Sequence, residues 1–210
     1  MRPSKLIGPA DRERIEAAVR SAEGGTSGEI VVQVVRRSDA FPVAAWRLSL
    51  LLAAIVLLAV DTVWPATSVT TLFALQAAAV GLAQLVCLLD PIRRLALRED
   101  ELEQAARRGA LEAFRRNVAR RTRGRTGILI YVSLLEHRVV VLGEEAIDQA
   151  LAPGETWQGV VDTMLEGIRS NRPAEGIVRA IERCGAILAR PLPRAADDRD
   201  EIETGLILAD

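Results

Sequence analysis

The sequence predicts a three-layer α/β/α domain with a small mixed sheet, interrupted by a transmembrane α-helical hairpin. Three observations point there. Residues 43–63 and 69–89 are apolar nearly all round. β-branched strand patterns lie on both sides of that pair in the chain. The segments flanking those strands carry helical rather than alternating periodicity.

Taken in order, residues 9–23 predict a helix. Asp11 is a plausible N-cap, Ile15, Ala18, Val19 and Ala22 form one apolar stripe, and Gly24-Gly25 ends it. Thr26-Ser27-Gly28 turns the chain. Glu29 to Val35, EIVVQVV, reads as a strand apolar on both faces, which suits a central strand covered by helices on both sides.

The two apolar runs follow. At the helical rise each window would extend about 31 Å, close to one hydrocarbon thickness. Trp46 and Trp64 sit near opposite ends of the first, where amphipathic rings favour the headgroup level. Residues 64–68 connect the runs without Lys or Arg, and Asp90-Pro91 stops the second. Arg36, Arg37 and Arg47 precede or open the first run, and Arg93, Arg94 and Arg98 follow the second. The positive-inside rule then predicts a multi-pass plasma (inner) membrane protein with the loop outside and both termini and the α/β domain cytoplasmic. Soluble core helices would carry a polar face, and these do not.

Beyond the hairpin, residues 99–121 predict a long charged helix with Leu102, Ala105, Ala106, Ala110, Ala113, Phe114 and Val118 on its buried side. Residues 122–126 form a polar turn. Gly127 to Leu134 is a second strand, and Glu136-His137-Arg138 turns into a third, Val139 to Leu142. Residues 144–151 predict a short helix. Thr156 caps another through Ser170, and Pro173 opens the last, with Ile177, Ile181, Cys184 and Leu188 on one face. Residues 191–210 read as an acidic, disordered tail, although Ile202, Leu206 and Ile207 could dock. Residues 1–37 and 99–190 thus make one discontinuous domain around the spans 43–63 and 69–89.

These residues resemble the TPM domain family. The likeness lies in an early helix leading to Thr26-Ser27-Gly28-Glu29-Ile30, then Gly127-Ile128-Leu129-Ile130-Tyr131-Val132-Ser133, the Glu136-His137-Arg138 hairpin, Val139 to Glu145, and an amphipathic helix pair. It covers roughly residues 10–37 and 99–190. The resemblance implies a mixed sheet flanked by helices. It also implies, for some members, acid phosphatase activity or calcium binding through acidic residues at one end of the sheet. Glu29, Glu144 and Glu145 are the candidate metal ligands here. The acidic pair that precedes the glycine of the second strand in many members is replaced by Arg125-Thr126.

The residues exclude several other chemistries. Cys87 and Cys184 read as small buried hydrophobes, and no Cys/His metal spacing exists. His137 stands in a turn without a nucleophile or carboxylate partner at recognisable spacing, and Ser133 has no nucleophile-elbow context. Arg123 to Gly127 has neither the spacing nor the lysine of a phosphate loop. The N-terminal residues have no apolar core of signal-peptide length, so no cleaved export signal is expected.

Residues 93–125 hold 11 arginines against five acidic residues. Arg93, Arg94, Arg98, Arg107, Arg108, Arg115 and Arg116 form the candidate basic patch facing lipid headgroups, an attraction of about 1 kcal/mol per residue near an anionic surface. The partners expected are the lipid bilayer, anionic lipid headgroups and a protein partner; nucleic acid is not expected, because no aromatic residues interleave with the arginines. The function expected is a non-enzymatic binding or assembly module at the cytoplasmic membrane face, with no cofactor. The alternative is a calcium- or magnesium-dependent acid phosphatase or related hydrolase.

Overall fold

The two β-branched runs, Glu29–Val35 and Gly127–Ser133, pair in parallel from Glu29 opposite Gly127 to Val35 opposite Ser133. A computed structural model describes residues 2–120, 126–144, 147, 156–194 and 205–210. In chain order its elements are α1 (Pro3–Leu6), α2 (Pro9–Glu23), β1 (Glu29–Val35), α3 (Pro42–Val63), α4 (Val69–Val86), α5 (Asp90–Leu95), α6 (Glu99–Asn117), β2 (Gly127–Ser133), β3 (Arg138–Gly143), α7 (Gln158–Arg169), α8 (Pro173–Leu188) and β4 (Leu206–Ala209). The chain divides into two units, Met1–Ser38 with Glu103–Asp210, and Asp39–Leu102.

In the first unit the sheet order is β3-β2-β1-β4, with β3 antiparallel to β2 and the other pairs parallel. Side chains alternate across β1 and β2, so each strand feeds two cores. Ile30, Val32, Val34, Ile128, Ile130 and Val132 face a layer built from α2, α7 and α8. Val31, Val35, Leu129 and Tyr131 face Ala110 and Ala113 of α6, with Val118 just beyond its end. A three-layer α/β/α arrangement results. It explains why both strands read as continuous apolar runs rather than alternating ones.

Small residues set the helix spacings. A Cβ on Gly109 would lie 2.6 Å from the Tyr131 hydroxyl, so a glycine in the interior of α6 admits the tyrosine beneath it. Gly167 of α7 and Gly176 of α8 bring those two backbones together, since a Cβ on Gly167 would lie 2.7 Å from the Gly176 nitrogen.

In the second unit α3 and α4 form an antiparallel hairpin joined by residues 64–68. Ser68 caps α4 by accepting the Thr71 N–H at 3.2 Å. The seam is made of small or polar side chains: Ser49, Ala79 and Ala83 are buried, Gln76 Nε2 donates to the Ala53 carbonyl at 3.1 Å, and Gln84 Nε2 donates to Ser49 Oγ at 3.3 Å. The outer surface is apolar and bare. Leu50 is 71% exposed and Phe73 72%.

The structure revises several expectations. Leu206–Ala209, expected to be disordered, forms β4 and pairs with β1 from Val32 opposite Leu206 to Val35 opposite Ala209. Its uniformly apolar Leu-Ile-Leu-Ala segment pairs with the edge of β1, and residues 195–204 lie outside the described residues. Helix α2 begins at Pro9 with Gly8 as N-cap, which leaves Asp11 inside the first turn rather than capping it. Trp157, not Thr156, occupies the N-cap position of α7. Helix α4 ends at Val86, three residues before the expected stop, because Asp90-Pro91 opens the separate short α5. The expected turn 122–126 falls mostly, and the expected helix 144–151 largely, outside the described residues.

Candidate functional site

The acidic candidates lie at the end of the sheet where β1 and β2 begin and β3 ends. Glu29 is the register partner of Gly127, and its N–H donates to the Thr126 carbonyl at 3.2 Å. Glu144 lies on the other side of Gly127. Its N–H donates to the Gly127 carbonyl and its Oε2 accepts the Gly127 N–H, both at 3.1 Å. The fold therefore brings Glu29 and Glu144 to one sheet end, both buried. Glu145 lies outside the described residues.

A third carboxylate sits nearby in the chain but serves the local backbone, since Glu23 Oε1 accepts the Ile30 N–H at 2.8 Å. A hard divalent cation needs several oxygens converging on one point. Among the described residues, no three His, Cys, Asp or Glu side chains converge in that way.

The opposite end of the sheet holds a polar cluster that sequence reasoning missed. Glu136, in the turn before β3, is fully buried. Its Oε1 accepts the Ser38 N–H at 2.7 Å and its Oε2 accepts from Ser133 Oγ. Ser38 Oγ also lies 3.0 Å from Ser133 Oγ and 3.1 Å from the Tyr131 hydroxyl. Burial raises the Tyr131 phenol above its ordinary range, with the hydrogen bond to Ser38 opposing the shift. This cluster fixes where the chain leaves β1. The sequence places Glu136 only in the turn before β3; the return of Ser38 over that turn shows that the carboxylate points inward.

Cys184 is buried in the α2/α7/α8 core, and burial pushes its thiol up to about 12, so it remains protonated at neutral pH. His137 is exposed with a φ of 53° at the tip of the β2–β3 hairpin.

The arginine candidates divide between the two units. In the second unit, Arg93 turns inward to 8% exposure, where its Nε donates to the Cys87 carbonyl at 3.1 Å. The expectation that it faces lipid headgroups is thereby corrected: the α5 turn folds its long side chain back over the end of α4. Arg94 pairs with Glu99 at 3.2 Å, and Arg98 with Asp100 at 3.5 Å. Arg47, at the start of α3, makes a bidentate pair with Glu101 at 2.6 and 2.7 Å. Hydrogen bonding from that guanidinium, followed by the Arg98 N–H, holds the Glu101 carboxyl down at about 2.

On α6, Arg116 pairs with Glu112 one turn earlier. Arg108 and Arg115 are exposed opposite the Ala106, Ala110 and Ala113 stripe, while Arg107 flanks that stripe beside β3. Sequence spacing placed these charges on a helix but could not reveal which acidic neighbour each would find.

The fold and sites define a class: a three-layer α/β/α unit with a four-stranded mixed sheet, into whose sequence an apolar helical hairpin is inserted between β1 and α6. No protein-family model matches the sequence, and no curated protein matches it. The chain is similar in fold to the NMR structure of BA42 protein from the psychrophilic bacteria Bizionia argentinensis sp. nov. That similarity has 18% identity and a TM-score of 0.58, covering 96% of this chain and 94% of that one.

Proposed function

We propose that this protein is a membrane-anchored, TPM-like binding module whose α/β unit docks a protein partner at the cytoplasmic face of a bacterial membrane. The observation that carries the reading is the surface of α3 and α4. Both are long and apolar enough to cross a bilayer, yet only 17% and 11% of their most apolar windows are buried within the protein. A core helix of a soluble protein would be covered. In water, so much bare aliphatic surface would drive association; in lipid it carries no such penalty.

The polar details of the hairpin suit the same solvent. Ser49 and Thr62 return their hydroxyls to the carbonyls of Ala45 and Leu58 at 2.8 and 2.9 Å, and the two glutamines direct their amides across the seam. Trp46 and Trp64 are exposed at the two ends of α3. A protein partner is favoured over anionic lipid because Arg94, Arg98 and Arg116 are neutralised by neighbouring carboxylates and Arg93 is buried.

The test is fractionation of the full-length chain. It should stay in the membrane pellet through an alkaline carbonate wash, and a reporter at Ala66 should be on the opposite side from one at the C-terminus. Release of the chain into the wash, or two reporters on the same side, would overturn anchoring by a hairpin. Flotation with neutral and anionic vesicles should show no preference for the anionic ones.

One observation favours a second reading, that of a calcium- or magnesium-dependent phosphatase: Glu29 and Glu144 lie at one sheet end, on either side of Gly127. Titrating either cation into the labelled protein would have to shift the Gly127 and Glu144 amides for that reading to stand.

A further inference from the structure

We propose that the cleft between α3 and α5 is a binding site for one glycerophospholipid, with an acyl chain in the cleft and an ester or phosphoryl oxygen on Arg47. A site of this kind rests on the reading of α3 and α4 as a membrane hairpin, and deepens it.

The cleft has a volume of about 190 Å³ and is lined by Arg47, Leu48 and Leu51 of α3 and by Ile92, Leu95 and Ala96 at the end of α5. All six belong to the second unit. On each wall the spacing is that of one helix face: Arg47 and Leu51 are four residues apart, as are Ile92 and Ala96. Arg47 ties the two walls together, since its Nη1 donates to the Ala96 carbonyl at 3.3 Å. Beyond Arg47 every lining side chain is aliphatic. Such walls suit a flexible hydrocarbon chain, because no side chain there offers a hydrogen bond or an aromatic face.

The position of the cleft favours lipid over other apolar ligands. Trp46 precedes Arg47 and is exposed, as an indole at headgroup level would be. From Arg47 the α3 wall runs through Leu48 to Leu51 toward the middle of the apolar helix, the direction an acyl chain takes from its ester. Leu51 is 59% exposed and Leu95 87%, so the cleft opens onto the bare surface of the hairpin, from which lipid would enter. Arg47 supplies the polar end. Glu101 takes one N–H each from Nη1 and Nη2, and the Ala96 carbonyl takes the other from Nη1. The Nε–H and the second Nη2–H have no acceptor among the described residues, and a lipid oxygen would accept them. Because Glu101 already balances the guanidinium charge, the mouth selects an oxygen acceptor and not net negative charge. Zwitterionic and anionic phospholipids should therefore bind alike. A free fatty acid would bring its carboxylate beside that of Glu101 and should bind less.

The experiment uses the full-length chain in phosphatidylcholine vesicles doped with a phosphatidylcholine that carries a diazirine near the ester end of one acyl chain. Irradiation releases dinitrogen and leaves a carbene, which inserts into the nearest C–H bond; mass spectrometry maps the residue labelled. The controls are Leu50 and Leu85, exposed on other faces at the depth where Gln84 bonds Ser49. Leu48, Leu51 and Leu95 should be labelled about tenfold more than these two. Ala96→Phe, which fills the cleft, should bring their labelling down to the control level. Leu95→Ser, at an exposed position, should lower labelling of Leu48 and Leu51 several-fold. A diazirine phosphatidylglycerol should give the same enrichment as the phosphatidylcholine, and a diazirine fatty acid much less. Labelling of the controls without enrichment in the cleft would overturn the site and leave the hairpin standing. So would enrichment that neither substitution lowers, or that only the anionic lipid or the fatty acid produces. No labelling at either set of positions would overturn the hairpin and the site together.

Discussion

Glu144 and Gly127 hold each other at both ends of a reciprocal pair: amide to carbonyl one way, amide to carboxylate the other, both at 3.1 Å. This clamps the end of β3 to the start of β2. It also gives a carboxylate that looks like a metal ligand a structural role.

Removing that carboxylate should leave the buried Gly127 N–H without its acceptor. Glu144→Ala is therefore expected to destabilise the protein by about 1–3 kcal/mol, whereas Glu144→Gln, which keeps an oxygen acceptor, should cost well under half of that. Denaturant melts of the two variants beside the parent measure the difference. Equal losses would mean that the hydrogen bond contributes little.

The close passage of α7 and α8 makes a second prediction. Alanine normally stabilises a helix interior relative to glycine by about 1 kcal/mol. At Gly167 the added Cβ meets the backbone of Gly176, which has no side chain to rotate away. Gly167→Ala should reverse the usual sign and lower stability by about 1–3 kcal/mol. A thermal shift upward would show that the helices can separate without loss.

The C-terminal strand should behave as part of the core. Leu206 is 1% exposed, against β1 and α2. Leu206→Ala is expected to cost about 2–4 kcal/mol. Removing residues 205–210 should also release the Val32 and Arg36 amides, which donate to Gly205 and Ala209 at 2.7 and 3.0 Å. Hydrogen exchange reads those two positions directly. Unchanged protection would show that β4 contributes nothing to β1.

Acid should loosen the second unit through Glu101. Its carboxyl sits at about 2 in the folded protein against an ordinary 4.5. Because the folded value is the lower one, the stabilisation is complete above pH 4.5 and is lost as pH falls through the folded value. Between pH 5 and 2 the parent should lose more stability than Glu101→Gln, which has no such proton to gain. Thermal unfolding in detergent across that range is the measurement, and parallel curves would show that the Arg47 pair is screened.

Much of the architecture was legible because burial leaves a local imprint. EIVVQVV and GILIYVS are apolar on both faces because helices cover both faces, whereas α3 is apolar nearly all round although among the described residues most of its surface outside the seam with α4 is exposed. The last helix opens at Pro173 and buries Ile177, Ile181, Cys184 and Leu188 as its periodicity predicts, since a proline start and a one-sided stripe are properties of neighbouring residues.

What the sequence by itself determined is the secondary structure of the strongly periodic segments, because hydrophobic periodicity is written into adjacent residues. Only the tertiary structure decided the partners. It paired Leu206–Ala209 with a strand laid down some 170 residues earlier in the chain. It turned Glu136 and Glu144 inward and matched Arg47 with Glu101. A charged side chain carries no local mark of the group it will meet, since its energy depends on what folding brings within a few ångströms of it.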